Sequence, residues 1–133
     1  MVISDKDADV LRSVRRIYKE LLQLREDLKE QRQIELHSPS IDGLPKGSSH
    51  ADRMAEYMIR LDSMERREAE LVRKLESARV KAYQVCRRMI SVKARMFFEA
   101  YCADLQTKET ARKISGVDDQ TVREYLKMLK EDQ

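Results

Sequence analysis

Residues 106–129 read QTKETARKISGVDDQTVREYLKML, and their spacing is that of a helix-turn-helix. A short, polar-fronted helix carries Ala111 and Ile114 on one face, Ser115-Gly116-Val117 forms the turn, and Asp118 stands as N-cap of a second helix. In that second helix Val122, Tyr125, Leu126 and Leu129 recur three and four residues apart, which makes one inward stripe. Gly116 falls where the chain must reverse, and glycine takes a positive φ there without strain. The Asp118 carboxylate is placed to accept the N–H of Thr121. The second helix would then offer Asp119, Gln120, Thr121, Arg123 and Lys127 to a major groove. Arg123 and Gln120, one turn apart near its start, are the expected base readers, since Arg can grip guanine and Gln adenine with paired hydrogen bonds. Thr107, Lys108, Arg112 and Lys127 are expected to hold phosphates and fix the register.

Two short helices cannot bury each other, so a third is needed beside them. Ser91–Leu105 can supply it, with Ser91 as N-cap and Val92, Met96, Phe97, Ala100, Tyr101 and Leu105 as its apolar face. Both phenylalanines of the chain, Phe97 and Phe98, lie here.

Upstream, both prolines and two of the three glycines lie between residues 39 and 47, so HSPSIDGLPKGSSH is the one clear break. Heptad patterns flank it. Val10, Val14, Ile17, Leu21, Leu24 and Leu28 form one seam; Met54, Tyr57, Leu61, Met64, Glu68, Leu71, Leu75, Ala78, Ala82, Val85 and Met89 form the other. The expected fold is therefore all-α. Helices over 5–36 and 50–90 form a long antiparallel coiled-coil hairpin with loop 37–49, which makes residues 1–90 a dimerisation unit. Residues 91–133 form the helix-turn-helix head. Ser49 with Asp52 gives a capping-box-like start to the second long helix. Gly43 and Gly47 are expected in turn conformations, with Pro45 keeping the two helices from fusing. A second apolar row at Leu11, Tyr18 and Leu22 would stay wet in a monomer, and so predicts a homodimer through this surface.

Composition narrows the function class. Charged residues are 38% and aromatics 5% of a chain of 133 residues, with no Trp, which favours long solvated helices over a large compact core. The formal net charge of +3 lies wholly in residues 80–133, with 11 basic and 8 acidic side chains, as an electrostatic footprint for a polyanion requires. No apolar run reaches membrane-span length and no signal-peptide core opens the chain, so a cytoplasmic protein is expected. Cys86 and Cys102 then read as buried reduced thiols. No CxxC or HxxxH spacing suggests a metal, and no phosphate loop, GxSxG or HExxH suggests an enzyme. The carboxylates interleave with Lys and Arg at helical spacing and read as solvated faces. No catalytic residue, metal or cofactor is expected.

The loop Ser38-Pro39-Ser40-Ile41-Asp42-Gly43-Leu44-Pro45-Lys46-Gly47-Ser48 resembles the S-P-x-x-D-G-x-P-(K/R)-G segment of small phage proteins of Gram-positive bacteria. In these a long helix and a C-terminal helix-turn-helix similar to sigma-factor region four follow. The resemblance, over residues 37–129, is to the ArpU/RinA-like phage late-transcription regulators. It implies an activator of a late phage or prophage operon that engages double-stranded promoter DNA through its C-terminal head, with RNA polymerase as a neighbouring partner. The alternative from another class is a coiled-coil adaptor that binds a helical protein and no DNA.

Overall fold

The computed structural model describes residues 3–37 and 48–130. Among them the chain is all-helical, with no strand. The α-helices are α1 (Asp5–His37), α2 (Ser48–Arg87), α3 (Val92–Phe98), α4 (Lys108–Ser115) and α5 (Asp119–Met128), and α3 runs directly into a π-helical turn, Glu99–Ala103. The two long helices start and stop within three residues of the expected bounds. Helix α2 begins at Ser48, which puts Ser49 inside the helix and not at its cap. The conformations expected of Gly43, Pro45 and Gly47 lie outside the described residues. No described helix is long and apolar enough to cross a membrane.

The chain divides into two compact units, residues 19–72 and residues 1–18 with 73–133. In the first, Arg67 lies 3.6 Å from Glu20, Arg25 3.0 Å from Glu68 and Arg32 3.1 Å from Glu65. The Tyr57 hydroxyl donates to the Gln31 carbonyl at 3.2 Å. From Arg25–Glu68 to Arg32–Glu65 the partners climb along α1 as they descend along α2, so the two stretches are antiparallel within this unit. Leu21, Leu28 and Leu71 are buried between the two stretches, while Met54, Met58 and Ile59 are exposed.

The second unit holds the larger core. Leu11 and Val14 of α1 and Ala78, Ala82, Val85 and Cys86 of α2 share it with Phe97, Phe98, Tyr101, Ala111, Val122, Leu126 and Leu129. The boundary expected at residue 90 is therefore not a break in the core. Leu11 corrects the expected wet row: it is wholly buried inside its own chain, Tyr18 is half-buried, and only Leu22 is exposed, at 45%. Asp7 at the start of α1 pairs with Arg88 at 3.0 Å, just past the end of α2. Cys86 and Cys102 are both buried, and burial, with Glu99 adding to it, pushes the Cys86 thiol up to about 12.

The expected third helix begins at its predicted cap, with the Ser91 hydroxyl accepting the Ala94 N–H at 3.2 Å. Phe97, Ala100 and Tyr101 face the core as expected, and Phe98 joins them. Val92, 61% exposed, and Met96 do not. The π turn closes with Asp104 N–H donating to the Glu99 carbonyl at 2.8 Å and Gln106 N–H to the Ala100 carbonyl at 2.9 Å. Two of its other carbonyls, those of Tyr101 and Ala103, are taken by two guanidinium groups distant in sequence. Arg15 donates to the Tyr101 and Gln106 carbonyls at 2.8 and 3.1 Å, with its carbon 4.3 Å from the Tyr101 ring centre. Arg79 donates to the Ala103 carbonyl at 2.9 Å and lies 3.6 Å from Asp104, which also accepts the Tyr83 hydroxyl. Charge-assisted bonds of this kind are the stronger class, and they fix the segment that leads into α4.

Candidate nucleic-acid interface

Helices α4 and α5 are each defined by a side-chain cap. Thr107 accepts the Thr110 N–H at 3.1 Å and opens α4; Asp118 accepts the Thr121 N–H at 2.8 Å and opens α5. Between them Gly116 adopts φ 72°, its N–H donating to the Arg112 carbonyl at 2.9 Å. This is the αL stop expected of a glycine after a helix. A Cβ at Gly116 would meet nothing within 4 Å, so the strain of an L-residue there is conformational alone. Gly116→Ala should cost about 1 kcal/mol or more, and Gly116→Asn less, because Asn tolerates αL. Urea denaturation of both variants checks this.

The buried face of α4 differs from the expected one. Ala111 is buried, but its companion is Ser115 and not Ile114, which is 48% exposed. The Ser115 hydroxyl donates to the Arg112 carbonyl at 3.1 Å, and this makes its burial inexpensive. On α5 the stripe holds: Val122, Tyr125 and Leu126 are buried, and Leu129 behind them as well. The Tyr125 ring lies 5.3 Å from Phe97 and 5.0 Å from Phe98, which seats α5 on the third helix.

Arg112 ties the two helices together. It lies 2.8 Å from Glu109 on its own helix and 3.5 Å from Asp119 at the start of α5. These carboxylates, Glu109 first, raise its pKa further. Its first role is therefore to lock the helix pair, a role the sequence did not signal because the partners lie across a turn. Thr107 is likewise occupied as a cap. The remaining predicted residues come together on the open side. Lys108, Arg112 and Arg123 line one shallow cleft with Glu109 and Asp119, floored by Val122 and Leu126. The Arg123 guanidinium approaches the Gln120 side-chain Oε1 at 3.5 Å, so the two expected base readers are adjacent. Gln120, Arg123, Lys108 and Lys127 are exposed, and Thr121 is half-buried at the cap of α5.

The Asp118 carboxyl is held below its ordinary value of 3.8, first by the backbone hydrogen bond from Thr121 and then by that residue's side chain. A depressed carboxylate contributes stability that is present above its unfolded pKa and lost as pH falls through the folded one. The melting temperature of Asp118→Ala should thus lie below that of the wild type at neutral pH. The gap should close once the solution is acid enough to protonate Asp118. Thermal melts of both proteins across that range check the sign.

Compared with known proteins, the chain matches no family model, no curated protein and no solved structure.

Proposed function

We propose that this chain is a sequence-specific DNA-binding regulator of transcription, with a long helical hairpin, a C-terminal helix-turn-helix head and no enzymatic activity. The observation that carries the reading is the pair α4–α5. Two capped helices are joined by an αL glycine and locked by Arg112–Asp119, and the start of the second presents Gln120 and Arg123 side by side, with Lys108 and Lys127 exposed near them. That is the arrangement in which a recognition helix offers its first turns to base edges and flanking cations to phosphates. The excess positive charge of residues 80–133 favours the same surface. The antiparallel placement of Arg25–Glu68 and Arg32–Glu65 supports the hairpin.

Action as a homodimer, in the cytoplasm, as an activator of a late phage or prophage operon and beside RNA polymerase completes the proposal. Phage origin and late-gene control rest on the resemblance over residues 37–129. The test is binding of the full chain to fragments of its own genome at two salt concentrations. The expected result is one or a few retained fragments, with affinity falling steeply as salt rises. Absence of both specific and salt-sensitive binding would overturn the DNA reading and leave the adaptor in its place.

A further inference from the structure

We propose that two copies of the chain associate through the face of α2 around Ile59, with the two helices antiparallel and the two-fold axis beside that residue. The inference rests on the homodimer reading above and assigns its surface. Ile59 is 70% and Met58 55% exposed, adjacent apolar side chains on α2. The row first expected to serve, on α1, is reduced by the burial of Leu11 to the single exposed Leu22.

The charges around Ile59 choose the partner and its direction. At 3.6 residues per turn, positions seven apart differ by about 20° around the axis. Asp52 and Arg66, each seven residues from Ile59, therefore share its stripe. In an antiparallel pair centred on Ile59, Asp52 of one protomer faces the partner's Arg66, and the reverse pair forms by symmetry. A parallel pairing would instead set Asp52 against the partner's Asp52 and Arg66 against the partner's Arg66. Self-complementarity of one patch about a two-fold axis is what a closed dimer requires.

The groups are available for this. Asp52 and Arg66 are both exposed. Arg66 holds Asp62 at 3.0 Å within its own helix, but both side chains are exposed, and such a pair is readily exchanged. A second copy is thus the occupant that satisfies both the apolar centre and the charges on either side of it.

Sedimentation equilibrium of the full chain tests the proposal, with circular dichroism confirming that each variant stays helical. Ile59→Glu should weaken self-association by about tenfold or more, whereas Leu22→Glu should leave it unchanged. Asp52→Arg should weaken it, and adding Arg66→Asp should restore it. Full restoration supports the antiparallel register directly, since the double variant returns each charge to an opposite partner. A dimeric wild type that Ile59→Glu leaves intact, or a double variant that is not restored, overturns this surface and leaves the dimer reading standing. A wild type that is monomeric throughout the concentration range overturns both. DNA binding by the same samples is read separately, so the head's function is not confounded with assembly.

Discussion

Phe97→Ala is expected to lower the unfolding free energy by about 3–5 kcal/mol, the range for emptying a buried aromatic site. Phe97 has no exposed surface, and its ring centre lies 5.7 Å from Tyr101, 5.5 Å from Phe98 and 5.3 Å from Tyr125. It therefore touches the π turn, its own helix and the seat of α5 at once. The loss should exceed that of any surface substitution in the chain, and Phe97→Leu should recover part of it by refilling volume. Urea denaturation followed by circular dichroism measures the difference. A cost below that of an exposed-site variant would mean that the aromatic cluster does not hold α5 in place.

The second large effect concerns DNA. If the start of α5 reads base edges, Arg123→Ala should cost about 1–3 kcal/mol of specific affinity and relax preference at one base pair. Lys127→Ala should instead weaken all sequences alike and lower the salt slope by about one. The contact at 3.5 Å between Arg123 and Gln120 adds a condition, because each orients the other. Gln120→Ala should then disturb the base pair read by Arg123 as well as its own. Competition binding with single-base variants of the selected fragment separates these outcomes. Equal losses for Arg123→Ala and Lys127→Ala on every sequence would count against Arg123 as a reader.

Local signals were legible in the sequence and long-range ones were not. Ser91, Gly116 and Asp118 each act through the backbone within three or four residues, and each is where its residue type predicts. The seam of α2 from Leu71 to Val85 is also buried or half-buried as its spacing predicts. Ile114 was misplaced because a short helix lets Ala111 pair with a neighbour three or four residues on. The choice fell to Ser115, whose hydroxyl is satisfied by Arg112. On α1 two apolar rows lie side by side, and Leu11 is buried because Phe97 and its neighbours share the core with α1 and α2. The π turn had no local signal at all. The guanidinium groups that take up its carbonyls come from Arg15 and Arg79, 86 and 24 residues away. For the interface, the residue types were readable, but the diversion of Arg112 and Thr107 to structural duties was not.

The core that seats α5 joins residues 3–18 to residues 73–130. During synthesis, the first of these leave the ribosome long before the second exist. Leu11, Val14 and Arg15 must therefore wait, solvated or held by non-native contacts, until Phe97, Tyr101 and Gln106 emerge to meet them. Closing such distant contacts is slower than winding the helices themselves. The short helices α4 and α5 can wind at once, but the third helix that seats α5 completes its core only when residues 3–18 return to it. Acquisition of the fixed α4–α5 geometry is thus a late event in the life of the nascent chain, and an amber fragment ending before residue 97 would leave the start of α1 without its core.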